Sequence, residues 1–127
     1  MPPRPVVLDT NMLLVPFKFK VDIFAEMDYL MDFSHVYVIS SKTVDELKNI
    51  GRIAGKDGMA ARLALKMLEA REVKVVKNDL PVDDWIFEYA VANTAIVFTN
   101  DSELRRRLKA GKIKVGALKS RSKLGFV

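Results

Sequence analysis

The sequence predicts an α/β protein: a three-layer α/β/α arrangement with a central, mostly parallel sheet. Strand-like and helix-like segments alternate along the chain, the strand-like segments are continuously apolar, and 50% of the residues are hydrophobic. Continuously apolar strands are typical of a parallel sheet that is buried on both faces, and alternation with helices is typical of α/β folds. The length of 127 residues predicts a single domain over 1–127.

The first half of the chain gives two strand–helix units. Val6–Leu8 is a short apolar run that predicts the first strand, and apolar residues at helical spacing over Val21–Met31 predict the first helix. His35–Ile39 predicts the second strand. The spacing over Thr43–Ile50 predicts the next helix, which we expect to end at Gly51.

The second half continues the alternation after a glycine-bearing loop at 51–58. Leu63 and Met67 share one face of a predicted helix at 59–70, and Pro81 suits the start of another at 83–91. The remaining predicted elements are strands at 73–76, 95–98 and 113–115 and a helix at 102–110 that ends at Gly111. Residues 120–127 show no clear period in the spacing of their apolar residues.

Composition excludes several kinds of site. There is no cysteine and a single histidine, His35, so a thiolate metal site, a catalytic thiol and a Ser-His-Asp triad are excluded. No segment reads as a signal peptide or a membrane span, which predicts a cytoplasmic protein without a membrane partner. Nine basic residues and no acid lie between Arg105 and Lys123, whereas the rest of the chain is net acidic. This basic C-terminal segment, 105–127, would suit contact with a polyanion or simply be solvated.

Acidic residues follow four of the predicted strands. Asp9 directly follows the first strand, Glu46 lies in the helix after the second, Asp84 lies in the helix after the third, and Asp101 follows the fourth by three residues. Ligands of open parallel sheets bind at the carboxyl ends of the strands, so these acids are expected at one edge. Clustered carboxylates repel one another unless a cation neutralises them, and an oxygen-only ligand set favours Mg²⁺ or Mn²⁺.

Purely structural roles for these acids remain alternatives. Thr43 and Glu46 fit a capping box, and Asp83 or Asp84 could cap the helix that they open. Asp101 could do the same. Four acids after successive strands favour a shared metal site over four independent caps.

Other α/β chemistries do not fit the sequence. The glycine-bearing loop has the wrong spacing for a phosphate-binding P-loop and carries Asp57 where that motif has Ser or Thr. The glycine pattern of dinucleotide-binding proteins is absent, and Asp9 is followed by Thr10 and Asn11 rather than by the second aspartate of haloacid-dehalogenase phosphatases.

The sequence resembles the PIN domain family over about Val6 to Val115. The resemblance rests on four motifs in order: Leu8-Asp9-Thr10-Asn11, Thr43-Val44-Asp45-Glu46-Leu47, Val82-Asp83-Asp84-Trp85-Ile86 and Thr99-Asn100-Asp101-Ser102-Glu103-Leu104. It implies a Mg²⁺- or Mn²⁺-dependent endoribonuclease that hydrolyses RNA by in-line attack of an activated water, without a covalent intermediate.

The resemblance also implies roles for particular residues. The metal ligands and catalytic residues would be Asp9, Glu46, Asp84 and Asp101. Residues that orient the ligands or add further acids would be Asn11, Thr99, Asn100, Asp83 and Glu103. Candidate contacts to RNA are Lys18, Arg105, Arg106 and Lys109, although the three consecutive arginines of this helix cannot all face one site.

The expected partner is RNA, either single-stranded or a ribosomal RNA precursor, and the family suggests a homodimer. Within the family the run Leu14-Val15-Pro16-Phe17 and the basic segment favour the archaeal and eukaryotic branch that processes ribosomal RNA. A VapC-type toxin, which would have an antitoxin partner, stays open. The rival functions are a non-catalytic RNA-binding or ribosome-assembly factor of the same fold and a DNA nuclease.

Overall fold

The computed structural model describes residues 2–127, and within them six strands alternate with helices. The strands are β1 (Arg4–Leu8), β2 (His35–Ser40), β3 (Lys74–Val76), β4 (Ile96–Phe98), β5 (Val115–Ser120) and β6 (Lys123–Phe126). The helices are α1 (Thr10–Phe19), α2 (Ile23–Leu30), α3 (Ser41–Gly51), α4 (Lys56–Ala70), α5 (Val82–Asn93) and α6 (Ser102–Ala110).

The strands form one sheet in the order β3-β2-β1-β4-β5-β6. All neighbouring pairs are parallel except β5 and β6, which are antiparallel. The mostly parallel α/β sheet that the sequence predicts is therefore confirmed. Strands β2 and β3 are added on one side of β1, whereas β4, β5 and β6 are added on the other side. The strand order therefore reverses between β1 and β4, and the carboxyl ends of the strands at such a reversal are the usual ligand site of this fold class.

Each face of the sheet has its own apolar core. Strand side chains alternate between the two faces, so neighbouring residues of β1 belong to different cores. One face packs under α1 to α4 and includes Val6, Leu8, Ile39, Ile96 and Phe98. The other packs under α5 and α6 and includes Val7, Val38, Val97 and Val115. These two cores define the three layers.

Helix α1 (Thr10–Phe19) is an element that the sequence patterns did not predict. Met12, Leu13, Leu14 and Val15 are all buried, so no polar residue interrupts the middle of the segment to reveal a helical period. Pro16 lies inside the helix, where a proline normally signals a break.

The C-terminal stretch without a clear period contains a strand that the sequence did not predict, β6. It pairs with β5 through a register shift between Leu118 and Ser120, which disturbs the simple alternation of side chains. Within the described residues, none of the helices is long and apolar enough to cross a bilayer.

Candidate active site

The register of the sheet brings two distant polar residues together. Leu8 of β1 lies opposite Phe98 of β4, so the next residues, Asp9 and Thr99, leave neighbouring strands side by side. Both are buried. The Thr99 hydroxyl donates a short hydrogen bond to Asp9 Oδ2. The pairing of β1 with β4 therefore fixes the position of the Asp9 carboxylate, the first of the site.

Asp9 also begins α1. Its Oδ1 accepts the backbone N–H of Met12 at 2.8 Å, as an N-terminal helix cap does. The pKa of Asp9 is raised to about 6, chiefly by burial and to a smaller extent by the nearby charges of Asp83 and Asp101. The hydrogen bonds from Thr99 and Met12 oppose this rise because they favour the ionised form.

Asp101 is held at the start of α6 beside the same edge. Its Oδ1 accepts the backbone N–H of Leu104 at 2.9 Å, so the predicted capping role is confirmed. The backbone N–H of Asp101 donates to the Thr99 hydroxyl at 3.1 Å. Thr99 thus links the carboxylate of Asp9 to the backbone of Asp101, and the Oδ2 of Asp101 remains free to face the cavity.

The capping-box interpretation of Thr43 and Glu46 is wrong. Helix α3 begins earlier than expected, at Ser41, and the Ser40 hydroxyl caps it by accepting the backbone N–H of Lys42 at 3.0 Å. Thr43 is buried inside the helix, with its hydroxyl 3.3 Å from that of Thr10. Glu46 is consequently available to the cavity.

Of the two adjacent acids of α5, the structure brings Asp83 to the acidic cavity and directs Asp84 elsewhere. Asp84 Oδ1 lies 2.7 Å from Arg107 Nη1 of α6. Successive helical residues point roughly 100° apart, so both cannot face the same cavity. Neither caps α5, whose N-cap is Pro81. The motif spacing predicts Asp84 as the ligand, whereas the geometry favours Asp83.

A cavity of about 130 Å³ lies where these elements meet. Its walls are formed by Asp9, Thr10, Asn11, Glu46, Val82, Asp83 and Asp101. Burial raises the pKa of Glu46, and the charge of Asp83 adds to this, whereas a hydrogen bond with Thr10 opposes it. Burial likewise raises the pKa of Asp83, followed by the charges of Asp101 and Asp84. The carboxylates therefore repel one another electrostatically.

Across residues 2–127, no group of three or more carboxylate, histidine or cysteine side chains already stands in position to hold a metal ion. The cavity nevertheless has a donor set of carboxylate oxygens, the type that hard divalent cations prefer. Asp9 and Asp101 are fixed by hydrogen bonds, whereas Glu46 and Asp83 are exposed helical side chains. To hold a metal, the carboxylates that line the cavity would therefore have to move closer together.

The other predicted site residues differ in their position relative to this cavity. Asn11 lines it, and Glu103 lines an adjoining cavity together with Asp83. The side-chain oxygen of Asn100 accepts the backbone N–H of Leu118 at 2.8 Å, so this residue contacts β5. Lys18 is exposed, and its Nζ lies 3.6 Å from Asp57 Oδ1.

The predicted RNA contacts of α6 lie on two sides of the helix. Arg106 lines the cavity that adjoins the acidic one, whereas Arg105 and Lys109 are not among its walls. Trp85 is buried and stacks on Tyr89 with ring centroids 4.9 Å apart, so it belongs to the core.

Sequence reasoning gave no role to Asn78. Its amide nitrogen donates to Ser40 Oγ at 2.9 Å and its oxygen accepts the backbone N–H of Leu80 at 3.0 Å. Asn78 thus connects the start of α3 with the loop that leads into α5. These are the helices that carry Glu46 and Asp83, so the contact helps to fix their relative positions. A lone asparagine in a loop gives no sequence signal for such a role.

A central parallel sheet with acids gathered at the carboxyl ends of its strands is the arrangement of an acidic-site α/β nuclease. A family model described as "PIN like domain" matches residues 6–121. The chain belongs to the PIN-like domain family, as its four motifs predict.

Individual proteins agree with this assignment. The chain is 36% identical over 117 residues to Ribonuclease VapC9 of Archaeoglobus fulgidus, covering 91% of this chain and 84% of that protein. It is 33% identical over 115 residues to Ribonuclease VapC4 of Methanocaldococcus jannaschii, covering 87% and 86%. The PIN domain endonuclease Utp24 has the same fold, with a TM-score of 0.80 at 22% identity over 99% of this chain and 92% of that one.

Proposed function

We propose that this protein is an endoribonuclease that depends on Mg²⁺ or Mn²⁺ and cleaves RNA at the cavity between Asp9, Glu46, Asp83 and Asp101. The observation that carries the proposal is the convergence of these four carboxylates, from four separate elements, on one cavity. Membership of the PIN-like family and the kinship to two proteins named ribonucleases support RNA as the substrate.

The four carboxylates would hold the metal, with Asp9 as the buried ligand. A bound divalent ion would neutralise their charge and supply electrostatic stabilisation to the phosphodiester under attack. Thr99 and the Met12 backbone hold Asp9 in one orientation, and Leu104 holds Asp101. Such fixed ligands lower the cost of ordering the site when the metal and RNA bind.

Adjacent acids provide matched variants for the experiment. We would measure cleavage of labelled single-stranded RNA, at saturating RNA concentration in Mg²⁺ or Mn²⁺, by Asp83→Asn and Asp84→Asn, which remove the same charge from adjacent positions of α5. Glu46→Gln has a matched partner in Asp45→Asn, on the same helix. Asp9→Asn should abolish cleavage, and Asp83→Asn and Glu46→Gln should lower it at least about a hundredfold, whereas Asp84→Asn and Asp45→Asn should retain metal-dependent cleavage.

The outcomes distinguish the rival functions. Loss of cleavage in Asp84→Asn with full activity in Asp83→Asn would move the third ligand to Asp84. A wild-type protein that binds RNA but cleaves none with either metal would be a binding factor. Faster cleavage of a matched DNA strand than of RNA would identify a DNA nuclease.

The biological role is either that of a toxin or that of a ribosomal RNA processing enzyme. Sequence kinship to proteins named VapC supports the first, for which an antitoxin would be the partner. Expression in a bacterial host tests it: wild type should arrest growth and Asp9→Asn should not. Normal growth with both, despite cleavage in vitro, would favour the processing role.

A further inference from the structure

Helices α5 and α6 border a second cavity, of about 390 Å³, which adjoins the acidic one. Its walls are formed by Asp83, Glu103, Leu104, Arg106, Arg107 and Ala110. Asp83 lines both cavities, so the second one opens directly beside the proposed ligands. A strand of RNA that enters the acidic cavity can therefore extend along this groove.

Arg107 is the most constrained cation of this groove. Its Nη1 lies 2.7 Å from Asp84 Oδ1, and its guanidinium carbon lies 4.6 Å from the centre of the Phe87 ring. Both partners belong to α5, so the arginine is held at two points of one helix. The side chains of Arg107 and Asp84 remain 45% and 47% exposed, and ion pairs so exposed contribute little to stability. Holding the guanidinium in place is thus the main consequence of the contact.

RNA must bring its phosphates to a cavity lined by acids, which repel them. A fixed cation beside the cavity offsets this repulsion for the neighbouring phosphate. A guanidinium offers five N–H donors in a planar fork that matches phosphate oxygens. The contact with Asp84 uses one of its nitrogens, so other donors remain for a phosphate.

We propose that Arg107, positioned by Asp84, binds the RNA phosphate next to the one that is cleaved. The inference rests on the proposed function in that RNA is taken as the substrate of the acidic site. Asp84 is then a positioning residue for substrate binding and not a metal ligand. The RNA leaves the site along α6, on the side of Arg106 and away from Arg105.

Binding of a short fluorescein-labelled single-stranded RNA, followed by anisotropy in Ca²⁺ over a series of salt concentrations, tests the proposal. Arg105→Gln is the matched control, because it removes the same charge from the same helix outside the groove. Arg107→Gln should weaken binding about tenfold more than Arg105→Gln does. Its salt slope should fall by about 0.7, the value for one lost phosphate contact to a single strand.

The variant Asp84→Asn distinguishes the positioning of Arg107 from a general effect of the Asp84 charge on RNA binding. Removal of a negative charge near a polyanion would by itself tighten binding. The proposal instead expects weaker binding, since Arg107 loses its tether, and expects Asp84→Glu to restore it in part. In cleavage assays both Arg107→Gln and Asp84→Asn should raise KM more than they lower kcat. Thermal unfolding of each variant verifies that it is folded.

Equal affinities and salt slopes for Arg107→Gln and Arg105→Gln would overturn the proposal, as would tighter binding by Asp84→Asn. Absence of RNA binding by wild type would overturn it as well. Wild type that binds RNA without cleaving it would refute the nuclease function alone, and the binding comparisons would still decide the role of Arg107.

Discussion

Asp9→Asn should stabilise the metal-free protein at neutral pH, although it removes the most buried acid of the site. The folded-state pKa of Asp9 is about 6 against an ordinary value of 3.8. A carboxyl whose pKa is raised by folding binds its proton more tightly in the folded state, so ionisation destabilises the fold. The penalty is absent below pH 3.8, grows between pH 3.8 and 6, and is complete above that range. The shift corresponds to about 3 kcal/mol.

The substituted amide has nearly the shape of the neutral acid and carries no charge, so it avoids this penalty. In EDTA at pH 8 the variant should exceed wild type by about 3 kcal/mol in free energy of unfolding, or roughly 10 °C in Tm. At pH 4 the two should be nearly equal. Urea unfolding at a series of pH values measures the difference, with the exposed Asp45→Asn as the control, expected to stay within about 0.5 kcal/mol of wild type.

Two results would refute this reasoning. A difference between variant and wild type that does not change with pH would show that the charge of Asp9 is not the cause. A variant less stable than wild type at pH 8 would show that the hydrogen bonds outweigh burial. Either result would remove the electrostatic basis for a metal at this cavity.

Further predictions concern the metal, the partner of Asp9 and one glycine. Mn²⁺ at about a hundred times its Kd should stabilise wild type by about 2.7 kcal/mol in thermal unfolding and leave Asp9→Asn unchanged; equal shifts in both would place the ion elsewhere. Thr99→Val removes a hydrogen bond that lowers the pKa of Asp9, so the acid limb of the pH–rate profile should move to higher pH, and an unmoved limb would contradict the role of this hydroxyl. Gly58→Ala should destabilise by about 1–3 kcal/mol despite the better helix propensity of alanine, because its Cβ would lie 1.7 Å from the Ile53 carbonyl oxygen. Gly51→Ala is the control in urea unfolding, because its Cβ would lie 3.2 Å from the flexible Arg62 side chain and no closer than 3.9 Å to backbone; equal effects of the two variants would contradict the steric cause.

The sequence predicted the sheet and the gathering of acids because both depend on simple periods. Apolar runs identify strands buried on two faces, and a parallel sheet places whatever follows them at one edge. Helix α1 was not predicted because four consecutive buried residues in its middle hide the period that reveals an amphipathic helix. Strand β6 escaped because its pairing depends on a register shift with β5.

The choice between Asp83 and Asp84 lies beyond local sequence. Both acids occupy the first turn of α5, and the motif spacing that predicts Asp84 carries no information about which face of that turn meets the sheet edge. The deciding contact is Arg107, 23 residues further on, which holds Asp84 away from the cavity. Such a pairing is set by the packing of α5 against α6, and a sequence period carries no information about it.

The pairing of β1 with β4 also determines when the site can exist during synthesis. Asp9 leaves the ribosome 90 residues before Thr99, the residue whose hydroxyl orients it. The loop that carries Asp101 is fastened through Asn100 to the backbone of Leu118 in β5. A growing chain therefore carries Asp9 long before it can orient the carboxylate, and the cavity is assembled only when β4 and β5 have joined the sheet.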